Sequence, residues 1–142
     1  MKKQKILVLC TGNSCRSQMA EGFLKHYARA ENKNVEIYSA GVETHGVNPL
    51  AIKVMQEKQI DLSNHTSDLV DAYLNSGITH LISVCDHAIE ACPVFPENVD
   101  HTHHTFSDPA KASGSDEEIL NSFRKTRDEI ESFSLNYIKD TF

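Results

Sequence analysis

The sequence predicts a single α/β domain: a parallel sheet with helices on both faces. Three observations predict it. Apolar runs that read as strands alternate with stripes spaced for helices, the signature of strand–crossover–strand units. The first run, residues 5–10, is almost wholly apolar, as a strand covered on both faces must be. A length of 142 residues suits one domain spanning 1–142, and no repeat, linker or low-complexity tract divides it.

The elements follow in order. Residues 17–31 set Met19, Ala20, Phe23, Leu24, Tyr27 and Ala28 on one helical stripe. In 34–40, Val35 and Ile37 alternate with Glu36 and Tyr38 before Gly41, which marks a second strand. Asn48, followed by Pro49, caps a helix running to about residue 58. Ser67 is expected to cap a short helix through Leu74. Residues 79–85 read as a third strand ending at Cys85, and 101–106 as a fourth, more polar and nearer an edge. Ser115 and Glu118 form a capping box. It opens a long helix with Ile119, Leu120, Phe123, Ile130, Phe133 and Tyr137 inward. The sheet is thus four-stranded. The loop of residues 10–17 falls at the carboxyl end of a strand and the amino end of a helix, where open α/β sheets bind ligands.

Composition narrows the function classes. The formal charge is −6, and the basic residues are scattered rather than massed, which argues against nucleic acid or an anionic membrane as the partner. Any anion site must therefore be built locally. The basic start followed by an apolar run and Cys10 has the look of a lipoprotein signal. A signal core needs roughly 7–15 apolar residues, and this run stops at Thr11-Gly12-Asn13. No segment approaches a membrane span, so the expectation is a cytoplasmic protein. Of the four cysteines, Cys10, Cys15, Cys85 and Cys92, none forms a Cys-x-x-Cys pair. In a cytosolic chain they point to metal or redox chemistry.

Cys10-Thr11-Gly12-Asn13-Ser14-Cys15-Arg16-Ser17 is a Cys-x5-Arg loop in which each residue type has a task. A free thiol ionises near ~8.5, and a helix amino terminus, hydroxyl donors and a guanidinium all lower that value. The loop therefore predicts a Cys10 thiolate, a nucleophile. Gly12 lets the backbone turn N–H groups inward as an anion cradle, and Arg16 offers a planar fork for two oxyanion oxygens. Asn13 and Ser17 donate to the thiolate or brace the loop. Taken alone, Cys-x5-Arg arises by chance and Cys10 could be a small buried hydrophobe; the strand before it and the amphipathic helix after it favour the anion loop. Displacing an oxygen from a tetrahedral oxyanion calls for an acid. Asp108-Pro109 is the best candidate, although Asp-Pro is also an ordinary turn.

Residues 10–22, Tyr38-Ser39-Ala40-Gly41, residues 44–49 (Thr-His-Gly-Val-Asn-Pro) and residues 64–68 (Asn-His-Thr-Ser-Asp) resemble the thioredoxin-coupled arsenate reductases, which share the low-molecular-weight tyrosine phosphatase fold. The match runs from about residue 5 to 133, with Cys85, Cys92-Pro93, Asp108-Pro109 and Arg127 in the family's order. Residues 100–106, with three histidines and no Trp, and a longer stretch at 110–116 depart from it. The resemblance implies a four-stranded parallel sheet and reduction of arsenate to arsenite, with Cys10 as nucleophile and Asp108 as acid. Phosphate or sulfate would bind as analogues in the loop from Thr11 to Ser17. It implies no organic cofactor and a thioredoxin- or glutaredoxin-type reductant. Some members bind potassium, and the positions matching theirs are Asn13, Glu21, Ser39, Thr66 and Asp68; read by themselves, these are polar loop and helix residues.

Within that resemblance, Cys85 attacks the Cys10 sulfur, and Cys92 then draws the disulfide outward to Cys85–Cys92. Were residues 86–92 helical, seven steps at ~1.5 Å would separate the α-carbons by roughly 10 Å, whereas a disulfide needs them within about 7 Å. Making that bond should loop the segment out, and Pro93 and Pro96 favour irregular chain there. Cys85 and Cys92 could instead be inert buried thiols, and Cys15 reads as structural or as a backup thiol. His101, His103 and His104 are plausible zinc ligands without a matching cysteine pair, so they read as surface histidines. A tyrosine phosphatase would use the same loop and Asp108, but it typically sets aromatic residues after Asp-Pro, where Ala110 and Lys111 stand here. A non-catalytic oxyanion or metal sensor is the remaining reading.

Overall fold

A computed structural model describes residues 3–86 and 98–142. Cys92, Pro93, Pro96 and the expected rearrangement between Cys85 and Cys92 lie outside the described residues. The strands are β1 (Gln4–Cys10), β2 (Val35–Gly41), β3 (His80–Ser83) and β4 (Asp100–His103), all parallel, in the order β2-β1-β3-β4. The helices are α1 (Arg16–Ala30), α2 (Pro49–Gln56) and α3 (Asp116–Thr141), with 3-10 turns at Val70–Tyr73 and Pro109–Lys111.

Both faces of the sheet are covered. Ile6, Leu7, Val8 and Leu9 of β1 are fully buried, as the unbroken apolar run requires. Helices α1, α2 and α3 pack on one another. Ser39 of β2 hydrogen-bonds to Glu21 of α1, so the alternation of a strand turns Tyr38 to the other face. There it meets Tyr73 of the first 3-10 turn, ring centroids 5.3 Å apart. The four-stranded parallel sheet flanked on both faces is as the sequence predicts, and the polar fourth strand is an edge.

Several boundaries differ from expectation for local reasons. Helix α1 begins at Arg16 rather than residue 17, and α2 ends at Gln56, two residues early. Ser67 caps nothing, because its hydroxyl donates to the Gly12 carbonyl (3.2 Å); the turn forms later, at Val70–Tyr73. Strand β3 stops at Ser83, although Val84 still donates to the Leu9 carbonyl (3.0 Å), which keeps Cys85 on the carboxyl edge of the sheet. Strand β4 spans Asp100–His103, and beyond it the chain turns in to bury Phe106. The Asn48 cap and the Ser115–Glu118 capping box form as expected. Helix α3 buries Leu120, Phe123, Ile130 and Tyr137, with Ile119 and Phe133 only partly covered and Ile138 an addition.

Candidate active site

The chain leaves β1 in opposite directions, toward β2 on one side and β3 on the other, so the β1 carboxyl end is a switch point where a crevice opens. The loop of residues 10–16 fills it, and its carbonyls all point outward. Cys10 O accepts from Val42 N, Thr11 O from Glu43 N, Gly12 O from His45 N and Ser14 O from Asn48 N, at 2.9–3.3 Å. Asn13 O accepts from Gln18 Nε2 at 3.1 Å. In a trans peptide the following N–H points the opposite way, so the N–H groups of residues 11–15 turn inward together. The start of α1 adds its dipole there, with no acidic residue in its first turn.

Asn13 holds this shape in the left-handed region (φ 50°), which asparagine tolerates. Its amide donates to Ser17 Oγ and Ser39 Oγ, both at 2.9 Å, and its Oδ1 accepts from Asp68 N at 2.7 Å. Asn13 and Ser17 are therefore braces in this geometry. Arg16 is buried; one terminal nitrogen donates to the Phe106 carbonyl (3.0 Å) and the other lies 3.6 Å from Asp108. Its Nε is buried with no partner among the described residues, a donor facing no acceptor of the protein's own. Asp108 caps the second 3-10 turn through Ala110 N (3.0 Å). A cleft of about 240 Å³ joins Cys10, Gly12 and Arg16 to Asp108, and His45 and Lys111 also line it. The sequence reading named neither as a site residue, although His45 lies within the 44–49 segment that carries the resemblance.

Cys10 is buried and its side chain is hydrogen-bonded to that of Cys85. Cys85 Sγ also lies 3.1 Å from Thr11 Oγ1. The Cys85 hydrogen bond and burial push the Cys10 thiol up, while Arg16 and the Thr11 N–H pull it down. The pulls are those the loop predicts, and the pushes come from the second thiol and from burial. Burial also pushes the Cys15 thiol up, to about 11, which fits a packing role.

The five proposed potassium positions do converge. Ser39 bonds Asn13 and Glu21, Asn13 meets Asp68, and Thr66 Oγ1 donates to Asp68 (2.8 Å). An all-oxygen set suits a hard cation, although the Lys25 ammonium already pairs with Glu21. No group of three or more His, Cys, Asp or Glu suited to a metal occurs among the described residues.

The low molecular weight phosphotyrosine protein phosphatase family matches residues 5–140. An arsenate reductase of Halalkalibacterium halodurans is 51% identical over 130 residues, covering 92% of this chain and 91% of its own. The chain belongs to the arsenate reductases of that phosphatase family. A solved arsenate reductase in the phosphate-binding state shares 30% identity and a TM-score of 0.76, covering 98% of this chain and 99% of its own. A solved arginine phosphatase has a TM-score of 0.81 at 26% identity, over 96% of this chain and 95% of its own. Reductases and phosphatases in this family thus share one scaffold, and this arsenate reductase scaffold carries a second cysteine against the nucleophile.

Proposed function

We infer that the protein reduces arsenate to arsenite through Cys10, Cys85 and Cys92. The observation that carries this reading is the Cys10–Cys85 contact, since ester hydrolysis needs one sulfur and a two-electron reduction needs two. The inward N–H groups and Arg16 bind the oxyanion, and its negative charge draws Cys85 off as hydrogen-bond partner. Cys10 gives its proton to an oxygen of the bound oxyanion and attacks arsenic as the thiolate, and Asp108 protonates the departing oxygen as water. Cys85 passes its proton to an arsenic-bound oxygen and attacks the Cys10 sulfur as the thiolate. An S–S bond forms, the S–As bond breaks, and its electron pair stays on arsenic, which leaves as arsenite. Thr11 Oγ1 is placed to stabilise the Cys85 thiolate. Cys92 attacks Cys85, returning Cys10 to the thiol state, and an external dithiol of the thioredoxin or glutaredoxin class reduces Cys85–Cys92. A reducing cytoplasm suits such a cycle, and no helix among the described residues is long and apolar enough to cross a membrane. Potassium, held by Asn13, Glu21, Ser39, Thr66 and Asp68, would brace the loop from behind.

Phosphate-ester hydrolysis is the alternative, since Cys10, Arg16 and Asp108 serve it equally. No Phe, Tyr or Trp lines the cleft among the described residues, and Ala110 and Lys111 stand at its rim. The deciding assay is arsenate turnover with thioredoxin, thioredoxin reductase and NADPH, beside a glutaredoxin arm, each in KCl and in NaCl. Cys92→Ser should release about one arsenite per enzyme and stop as a Cys10–Cys85 disulfide, detected by peptide mapping. Sustained turnover by Cys92→Ser would refute the relay. Brisk aryl phosphate hydrolysis without arsenate reduction in the wild type would hand the protein to the phosphatase reading. Equal rates and melting points in the two salts would dismiss the potassium site.

A further inference from the structure

A chain of polar contacts outside the anion loop ends on the residue next to Cys85. Ser83, fully buried in β3, lies 2.8 Å from both His101 Nε2 and His103 Nδ1 of β4. His103 Nε2 lies 2.8 Å from Asp86 Oδ1, and Thr105 Oγ1 donates to that same oxygen at 2.8 Å. With neutral imidazoles, the protons have one consistent order. Asp86 is a carboxylate and can only accept, so His103 Nε2 carries the proton and Nδ1 must accept. Ser83 then spends its single proton on His103 and accepts from His101 Nε2. The donors run in one direction, from His101 through Ser83 and His103 to Asp86. The Thr105 and His103 hydrogen bonds hold the Asp86 carboxyl below its ordinary range.

The position of this chain gives it a task. On its amino side Cys85 is fixed by the main chain: Val84 N donates to Leu9 O (3.0 Å), and Phe106 N to Val84 O (3.2 Å). On its carboxyl side, the contacts from Asp86 to His103 and Thr105 are a side-chain pin at an otherwise exposed residue. A sulfur that must attack along the axis of the bond it breaks loses rate steeply with small displacements.

We propose that His103, with Asp86 and Thr105, is a positioning device that holds Cys85 against Cys10 for the second chemical step. This rests on the relay reading of the site. Neither His103 nor Asp86 lines the cleft that joins Cys10 and Arg16 to Asp108, so their loss should spare the first step.

The test uses the full chain in a Cys92→Ser background, so that a single Cys10–Cys85 disulfide is the end point. Asp86→Ala and His103→Phe should each slow that disulfide about tenfold after arsenate is added, a modest misplacement. Asp86→Asn, which keeps an acceptor for His103 and Thr105, should restore the rate to within about twofold. Hydrolysis of a small aryl phosphate should be unchanged in all three. The same disulfide is also timed with a diamide-type oxidant, which takes up the two thiol electrons itself. The same order of rates is expected there even if the chain reduces no arsenate, which separates failure of the pin from failure of the arsenate reading. Nitrogen NMR of His103 gives a readout apart from chemistry: Nε2 should carry the proton in the parent and not specifically in Asp86→Ala. Disulfide rates equal to the parent in both Asp86→Ala and His103→Phe would overturn the proposal. So would aryl phosphate hydrolysis falling in parallel, or an Asp86→Asn variant as slow as Asp86→Ala.

Discussion

At the scale of single residues, the loop's work divides between groups that meet the anion and groups that shape the backbone. Arg16 is the group with an unused buried donor, Nε, and its two terminal nitrogens are already directed by Phe106 O and Asp108. Arg16→Lys removes the planar fork and leaves the Phe106 carbonyl without its donor, so oxyanion affinity and the first step should both fall. Asp108→Asn keeps the turn cap on Ala110 but cannot deliver a proton. It should slow the first chemical step by roughly 10²–10⁴-fold with little change in phosphate binding. Rapid-mix kinetics of Cys10 modification would separate binding from chemistry, and wild-type rates in Asp108→Asn would remove that residue from the acid role. Cys10, Arg16 and Asp108 were legible in the sequence because a contiguous pattern and one dipeptide carry them. The nearness of Cys85 to Cys10 was legible too, from a strand ending at Cys85 and the relay that the resemblance implies, whereas the Thr11–Cys85 hydrogen bond was not, because nothing local links positions 11 and 85.

At the scale of elements, the loop is held by its neighbours as much as by its own sequence. Gly41 stands opposite Cys10 at the end of β2, and a Cβ there would lie 2.4 Å from Glu43 O and 2.8 Å from both Asn13 N and Thr11 O. All three are backbone atoms that cannot swing away. Gly41→Ala should therefore push the cradle out of shape and cut aryl phosphate hydrolysis by about a hundredfold, the scale of a misplacement near 1 Å. Gly46→Ala is the contrasting variant, since nothing lies within 4 Å of its Cβ and only the positive φ (76°) is strained. It should lose some stability and keep its rate; equal losses in the two variants would show that close approach at Gly41 is not what matters. The sequence reading treated Gly41 only as a strand end, because a strand's alternation says nothing about what approaches it from the next loop. Caps were legible where the capping residue was spent locally, as at Asn48 and Ser115. They failed at Ser67, whose hydroxyl is drawn to the anion loop by tertiary structure.

At the scale of the whole molecule, the α/β class was legible from periodicity, and the strand count from four apolar or β-rich segments. The order β2-β1-β3-β4 is a property of pairing between distant segments, which local patterns do not encode. Nor did they reveal how α3 is fastened. Arg127, noted only as part of the family's order, donates to Val54 O (3.0 Å) and Glu57 (2.7 Å), while Arg124 grips the same carboxylate at 2.8 Å. These bonds tie α3 to the end of α2, behind the sheet that carries the site. Hydrogen bonds from Arg124 and then Arg127 hold the Glu57 carboxyl down at about 2. In the unfolded chain it returns to about 4.3. Between those values the unfolded state binds a proton that the folded state refuses, so falling pH favours unfolding. The contribution is complete above about pH 4.3 and is lost as pH falls through about 2. Glu57→Gln keeps the shape and removes the charge, so it should melt below the wild type near neutral pH. The gap should close as both are acidified toward pH 2, read from melting temperatures taken at intervals through the acid range. Wild-type and variant curves that stay parallel across that range would show that the two arginines draw no net stability from Glu57, and that apolar packing alone seats α3.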